Sequence, residues 1–463
     1  MSLRFPWYIS RSFLRVGQKD RAVSTLPRLK AIVTHAYTHS PFYKQHFDAA
    51  GFHPRHLRTL GDVQYIPLLT RDDLVAHYDQ IVTQPASKKS NSVTFTSAGT
   101  IGQKIPITYE SKGLELYAAV FGRWLWSVGF RPGERIQCYT YAPTASTEAM
   151  DTPAIKAPPS QPTPPAWRAL DVCRDYRSTM PTRFYHRMGM VKRGWFDQSF
   201  PAELQLQQIR SFQPDWLMGM PSTIRRIAAL MRQRGEQPGF AARGIVLGGE
   251  LLTETTRELI ESSFHCRVYN RYSCVELWAM AYECRHGNLH VEDDLVHLEV
   301  IKDGLPVFQE HGQLVCTSLI HRHLPLIRYQ NGDEGKLSSQ SCSCGNTALV
   351  LSEIGDYRVR ENSLARLWSP VVTLLENSFQ RNFVLGEFQL RLAADGHGAS
   401  LHYERGPRFT ASTPQALRQA LADFAPELNI EMVENARFDT EMSFKFSPLT
   451  VVNPPNCSRM LLH

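Results

Sequence analysis

The chain has 463 residues, 43% of them hydrophobic and 21% charged, which is ordinary for a globular protein but too long for a single hydrophobic core. No apolar run is long enough for a membrane span, and the first residues are too charged for a secretory signal, so we expect a cytoplasmic protein without a membrane partner. The formal charge of +7 is not concentrated in a block, which argues against a nucleic-acid partner. Nine cysteines, an odd number, argue against a disulfide framework.

In chain order, the first predicted elements are those of an α/β region. Residues 26–50 carry apolar side chains at helical spacing, and residues 91–96 read as a strand that enters a loop of small residues at 97–102. Residues 112–128 are apolar enough for a buried helix. Between residues 202 and 272, helical patterns alternate with short buried strands, which predicts an α/β fold with a largely parallel sheet.

The pattern changes near residue 355. Residues 387–392 and 400–404 alternate apolar and polar side chains, a helix is predicted from Thr413, and a strand follows at 429–433. This is the composition of a small α+β module of ordinary domain size. We therefore predict a large N-terminal region over residues 1–355 and a small C-terminal domain over residues 356–463.

Two motifs place glycines at the end of a predicted strand. The first, Thr96-Ser97-Ala98-Gly99-Thr100-Ile101-Gly102-Gln103, offers backbone N–H groups and hydroxyls to an anion, although a tight turn would look the same. It lacks the Gly-Lys-Ser/Thr ending of a Walker loop. The second, Gly248-Gly249-Glu250, would let a flat ring stack on the backbone, or is a plain strand-to-helix turn.

Two further motifs end in a carboxylate. A strand predicted at 266–272 ends at Tyr272 and leads to Glu276, a carboxylate that by itself reads as a solvated surface charge. The segment Asn331-Gly332-Asp333 places a carboxylate beside a glycine, where it can accept both hydroxyls of a ribose, or forms an ordinary turn.

In this order and at these separations, the four motifs resemble the adenylate-forming superfamily, and they look closest to phenylacetate–CoA ligases and their capsule-biosynthesis relatives. The resemblance runs from about residue 26 to about residue 450. It includes His35-Ala36-Tyr37, the stretch Ser211–Asp215 and Gly219-Met220-Pro221-Ser222, while residues 182–198 look more like the capsule-type branch. The resemblance implies a ligase in which the small C-terminal domain is a mobile lid over an N-terminal region that binds ATP and the acid.

The resemblance also implies the reaction and its partners. ATP and a small-molecule carboxylic acid give an acyl-adenylate and pyrophosphate, and coenzyme A, a carrier thiol or an amine then displaces AMP. In this reading Glu276 holds Mg2+, Asp333 holds the ribose, and Lys445 of the lid serves the adenylation transition state. The remaining nucleotide contacts fall on the phosphate loop at Ser97, Gly99, Thr100 and Gly102, and on the adenine side at Gly248, Gly249, Glu250 and Tyr272.

A metal site is predicted separately. Three thiolates and one imidazole, from Cys284, His290, Cys342 and Cys344, would make a closed tetrahedral Zn2+ site of structural type. Similar pairs in the capsule-type and phenylacetate relatives favour this interpretation. His286 is a competing ligand, and buried cysteines beside a chance histidine are the plainer alternative.

Two other functions stay open, the first because of departures from the family pattern and the second because of the capsule-type region 182–198. Ala98, Ile101 and Gln103 stand in the phosphate loop, and Val275 replaces a threonine, which would cost about 1.5–3 kcal/mol if a charge-assisted contact were lost. One alternative is thus a catalytically impaired member that binds a nucleotide or a partner. The other is an ester- or amide-forming transferase in secondary metabolism. The acid and the oligomeric state, with a homodimer as one option, stay open.

Overall fold

The computed structural model describes residues 21–83, 92–96, 105–140, 192–197, 200–356, 370–393, 398–424, 430–434 and 449–452. Within these ranges the chain forms a helical N-terminal part, one large sheet, a separate hairpin and a second, smaller sheet. None of the helices in these ranges has both the length and the apolar character that a bilayer span requires.

The N-terminal part is helical, as predicted for residues 26–50. Ser40 separates the first two helices and caps the second, because its hydroxyl accepts a hydrogen bond from the N–H of Tyr43. Apolar side chains at helical spacing, among them Leu29 and Ile32, are fully or nearly fully buried against the large sheet's core. The helices are α1 (Arg21–His39), α2 (Pro41–Ala49), α3 (Arg71–Ala76) and α4 (Tyr78–Ile81), with 3-10 turns at Pro54–His56 and Leu60–Tyr65.

Twelve strands form the large sheet, in the order β11-β10-β12-β13-β14-β9-β8-β7-β6-β5-β3-β4. The hairpin of β1 (Ser92–Thr96) and β2 (Pro106–Glu110) stands apart from it, and β1 confirms the strand predicted at 91–96. The sheet strands are β3 (Arg135–Thr140), β4 (Lys192–Asp197), β5 (Trp216–Gly219), β6 (Gly244–Gly248), β7 (Arg267–Cys274), β8 (Trp278–Glu283), β9 (Leu289–Val291), β10 (Val296–Lys302), β11 (Leu305–Val307), β12 (His311–Ser318), β13 (Tyr329–Ser338) and β14 (Val350–Asp356).

The α/β class is confirmed, but only part of the large sheet is parallel. Strands β3 to β7 pair in parallel, and helices connect β5 to β6 and β6 to β7. From β7 to β14 the neighbouring strands pair antiparallel, so the prediction of mostly parallel strands is wrong for this half. The physical reason is connection length, since β7 to β14 follow one another through connections too short for a helical crossover. The helices around the parallel half are α5 (Ser111–Val128), α6 (Ala202–Phe212), α7 (Pro221–Arg234) and α8 (Glu254–Phe264).

The smaller sheet lies in the C-terminal part of the chain, and its elements match the predicted α+β pattern. Residues 370–375 are helical and continue as a π-turn at Glu376–Gln380 before the first strand. Alternate side chains of that strand are buried, among them Phe388, Leu390 and Leu392. We call residues 370–452 the C-terminal module. Its sheet, in the order β17-β16-β15-β18, consists of β15 (Leu385–Ala393), β16 (Ala399–Arg405), β17 (Ile430–Glu434) and β18 (Leu449–Val452), with helix α9 (Thr413–Phe424).

Candidate functional site

Three polar side chains meet where the ends of β7 and β13 come together. The hydroxyl of Tyr272 donates a hydrogen bond of 2.7 Å to Oδ2 of Asp333. The amide of Asn331 donates to the same hydroxyl at 2.6 Å and to the same carboxylate oxygen at 3.0 Å. Burial, and then the charge of Asp333, raise the pKa of Tyr272 well above its usual value, so the hydroxyl keeps its proton. The predicted adenine-side and ribose residues are therefore in direct contact, although three strands separate β7 from β13 in the sheet.

The predicted Gly248 ends β6, and Gly249 and Glu250 begin the loop that follows; we call these three residues the glycine loop. A Cβ atom at Gly248 would lie 2.5 Å from the carbonyl oxygen of Arg271 on β7, so only glycine allows the two strands this approach. Gly249 has a φ of +88°, which turns the chain away from the strand. Glu250 accepts hydrogen bonds from the backbone N–H of Ser222 at 2.9 Å and from its hydroxyl at 3.0 Å. The loop is thus tied to the first turn of α7, a contact that the sequence did not predict.

Glu276, the predicted Mg2+ ligand, is paired with an arginine. Nη1 of Arg71 lies 3.1 Å from Oε1 of Glu276, whose side chain is 12% exposed. Arg71 begins α3, and the residue two positions earlier, Leu69, exchanges backbone hydrogen bonds with Arg328 and Gln330 around the start of β13. The segment therefore sits beside the strand that carries Asp333. Sequence reasoning missed Arg71 because it lies some two hundred positions from its partner in an ordinary helix start.

The phosphate-loop residues Ser97, Gly99, Thr100 and Gly102, and likewise Lys445, lie outside the described residues. The strands that flank the loop are described, and they reach the same site. The hydroxyl of Tyr109 on β2 donates to the carbonyl of Val275, the residue before Glu276. At the start of β2, the carbonyl of Pro106 accepts a 2.6 Å hydrogen bond from Tyr78 on α4. Both ends of the hairpin thus contact elements that neighbour Glu276.

The four predicted metal ligands form one cluster. The ligand atoms of Cys284, His290, Cys342 and Cys344 all lie within 4.8 Å of one another. Sγ of Cys284 is 3.7 Å from Sγ of Cys342, and Sγ of Cys344 is 3.3 Å from Nε2 of His290. Zn–S bonds of about 2.3 Å in a tetrahedron place two sulfurs about 3.8 Å apart and a sulfur and a nitrogen about 3.6 Å apart. The donor set and its spacing therefore fit Zn2+, and the competing His286 lies outside the group.

Residues around this cluster orient the His290 ring and shift the pKa values of two of its thiols. Nδ1 of His290 is 3.3 Å from the carbonyl oxygen of Ala348, so the ring turns Nε2 towards the sulfurs. Burial raises the pKa of Cys342, but hydrogen bonds to its sulfur, from the Cys344 backbone and the Asn288 amide first, outweigh it and lower the pKa to about 6. Burial and the neighbouring sulfurs raise the pKa of Cys344 to about 12. A bound cation would supply the charge that lets all the thiols ionise together.

Comparisons with known proteins find related ligases, although no family model matches the chain. The chain is 28% identical over 357 residues to the phenylacetate–coenzyme A ligase of Thermus thermophilus, a match that covers 75% of this chain and 71% of that protein. The ligase of the same name from Escherichia coli is 28% identical over 320 residues, which cover 67% of this chain and 65% of that protein. Protein CapK of Staphylococcus aureus is 28% identical over 138 residues, 29% of each chain.

Among solved structures, 2-hydroxyisobutyryl-CoA ligase in its postadenylation state shares the fold. The TM-score is 0.68 at 17% identity, and the match covers 94% of this chain and 90% of that one. The same ligase in its thioesterification state gives a TM-score of 0.59, and the match covers 95% of this chain and 92% of that one. The chain is thus similar in sequence to phenylacetate–coenzyme A ligases and shares its fold with a CoA ligase, which supports the predicted resemblance to the adenylate-forming superfamily.

Proposed function

We propose that the chain is an AMP-forming acid–thiol ligase. It joins a carboxylic acid to ATP as an acyl-adenylate, with release of pyrophosphate, and then transfers the acyl group to the thiol of coenzyme A. The named relatives are phenylacetate–coenzyme A ligases, and a structural neighbour was solved with an acyl-adenylate and coenzyme A. The acid itself is not assigned.

The observation that carries the proposal is the cluster of Tyr272, Asn331 and Asp333. A carboxylate can accept hydrogen bonds from both ribose hydroxyls, and here its Oδ2 is already fixed by two donors, so its orientation is set before the nucleotide arrives. The ring of Tyr272 lies one residue from Arg271, which pairs with Gly248. The cluster therefore offers a place for the ribose beside the glycine loop that we assign to adenine.

Charge supports the same assignment on the phosphate side. Mg2+ is usually held by one or two carboxylates together with substrate phosphates, and Glu276 is a largely buried carboxylate of that kind. When bound, Mg2+ would stabilise the negative charge that builds on the α-phosphoryl group and the departing pyrophosphate. Arg71 balances the charge of Glu276, and we assign its guanidinium to the triphosphate that Mg2+ would bring to this carboxylate. We assign Ser97, Gly99, Thr100 and Gly102 to the phosphates and Lys445 to the reacting carboxylate, by the family pattern alone.

We further propose that residues 1–355 bind ATP and the acid, and that residues 356–463 act as a lid that changes position between the two steps. The large sheet ends with β14 at Asp356, which supports a boundary there. A structural neighbour is known in separate postadenylation and thioesterification states, which supports the movement. The Zn2+ site would brace the loop that joins β13 to β14 and would do no chemistry.

The test is a pyrophosphate-release screen of the purified chain with ATP, Mg2+ and a panel of aromatic, fatty and amino acids. We expect release with at least one acid, and a loss of at least about 100-fold in rate for both Glu276→Gln and Lys445→Ala, because removing one preorganised charge contact in a transition state has a cost of that order. Asp303→Asn, a change at the exposed turn between β10 and the edge strand β11, is the control. Turnover that neither variant slows would show that the site is assigned wrongly.

A nucleotide-binding protein without turnover is the second candidate. Two observations favour it: Glu276 is already engaged by Arg71, and Val275 offers no hydroxyl to the α-phosphate. Tight ATP binding without pyrophosphate release for any acid would support this candidate. If pyrophosphate is released but amines or alcohols, and not coenzyme A, take up the acyl group, the chain is an amide- or ester-forming transferase instead.

A further inference from the structure

The C-terminal module docks on the N-terminal region through a buried ion pair. A guanidinium nitrogen of Arg225 on α7 contacts a carboxylate oxygen of Glu387 on β15, and the two side chains are 9% and 7% exposed. A second carboxylate, Glu376 of the π-turn, is buried near the same guanidinium. Buried charges are rarely kept unless they are paired, and removal of one partner leaves an uncompensated charge. Arg225 is therefore the cation that lets two acidic side chains of the module face α7.

Weaker contacts around the ion pair join the same helices to the same segment of the module. The hydroxyl of Thr255 on α8 donates to the amide oxygen of Asn377 at 2.9 Å. At the exposed edge, Arg381 pairs with Glu258 of α8. The guanidinium of Arg232 lies 5.3 Å from the centre of the Phe383 ring. One face of α7 and α8 thus meets residues 376–387, and of these four contacts the Arg225–Glu387 pair is the buried one.

The same two helices are tied to the predicted adenine loop. Ser222, one turn before Arg225 on α7, hydrogen-bonds Glu250. Thr253, the N-cap of α8, stands three residues after Glu250 and hydrogen-bonds Glu376 of the module. A short path of direct contacts therefore joins the nucleotide loop to the docked module on both sides.

We propose that the Arg225–Glu387 ion pair holds the C-terminal module docked on α7, and that this docked position is the one in which the acyl-adenylate forms. The second half rests on the proposed function. Arg225 acts as a positioning residue, since it places the module that carries Lys445 and does not itself reach the reacting atoms. Acyl transfer to the thiol then requires the ion pair to break.

The docking is tested without turnover, by hydrogen–deuterium exchange of the full-length chain. In Arg225→Gln we expect exchange in residues 376–387 to be at least 10-fold faster than in the wild type, with the large sheet unchanged. Arg225→Lys, which keeps the charge, should restore at least half of the protection. Arg226→Gln, a change at the half-buried neighbour on the same helix, is the matched control and should leave the exchange as it is. Equal exchange in Arg225→Gln and the wild type would overturn the docking.

The positioning is tested by separating the half-reactions, with the acid that releases pyrophosphate in the screen. In Arg225→Gln, adenylate formation should be at least 10-fold slower, while thioester formation from added acyl-adenylate and coenzyme A stays within 3-fold of the wild type. A purely structural role would slow both steps equally and would overturn the positioning. If the wild type releases no pyrophosphate with any acid, the proposed function fails and the positioning with it, whereas the exchange experiment still decides the docking.

Discussion

The hydroxyl of Tyr272 provides a direct test of the ribose site. Tyr272→Phe keeps the ring and removes only the donor that holds Oδ2 of Asp333 at 2.7 Å. A hydrogen bond to a charged group contributes about 1.5–3 kcal/mol, which corresponds to roughly 10- to 150-fold in affinity. Asn331 still reaches the same oxygen at 3.0 Å, so we expect the lower end, about 10-fold weaker binding of AMP.

Isothermal titration calorimetry with adenosine and 2′,3′-dideoxyadenosine separates the ribose contact from base stacking. The wild type should prefer adenosine, and Tyr272→Phe should lose most of this preference while its affinity for the dideoxy compound stays unchanged. The matched control is Tyr269→Phe on the same strand, whose hydroxyl faces the carbonyl of Val128 at 3.4 Å. An unchanged preference in Tyr272→Phe, or an equal loss for both compounds, would refute the assignment of this cluster to the ribose.

Three further predictions concern the metal, the glycine loop and pH. Cys342→Ser should abolish stoichiometric zinc in a metal analysis and lower the Tm by at least about 5 °C, because a ligand that binds only the folded state stabilises it; a retained zinc would contradict the site. Gly248→Ala should lower the free energy of unfolding in a urea melt by about 1–3 kcal/mol through the clash with Arg271, whereas Gly122→Ala, in open helical space, should be neutral or stabilising. Burial raises the pKa of Glu376 to about 7; the charge of Arg225 partly offsets this rise and the negative charge of Glu387 adds to it, so the docked module binds a proton that the undocked one releases. Docking should thus be fully favoured below about pH 4.5 and weaken by up to about 3 kcal/mol as the pH rises through 7, and hydrogen exchange in Glu376→Gln should lose this dependence.

The sequence predicted those site residues that lie within short motifs of characteristic residue types. Tyr272 and Asp333, which were assigned to neighbouring parts of one nucleotide, are in contact, and the cysteines and His290 converge although about fifty residues separate their two pairs. In each case the residue type indicates which ligand can bind. The resemblance to a known family, and not the spacing in the sequence, indicated which residues lie close together. The sequence could also have indicated Asn331 as a site residue, since it stands two positions before Asp333 in the same motif.

Long-range partners could not be predicted in this way. Arg71 and Arg225 are arginines in ordinary helices, and only the folded chain brings them to Glu276 and Glu387. The alternation of strands and helices predicted the parallel half of the large sheet, but this alternation ends at β7, after which short connections join antiparallel neighbours. Gly248 was predicted to let a ring stack on the backbone. The structure gives a second reason for glycine at this position, since a Cβ atom would clash with the backbone of Arg271.

The central claim is that the carboxylate of Asp333 holds the sugar of a bound ATP beside the glycine loop. Calorimetric titration of ATP with Mg2+ into the wild type and into Asp333→Ala tests it most directly. We expect one ATP per chain in the wild type and at least about 30-fold weaker binding in the variant, since two hydrogen bonds to a charged acceptor are lost. Equal affinity in the two proteins, with both folded, would contradict the account.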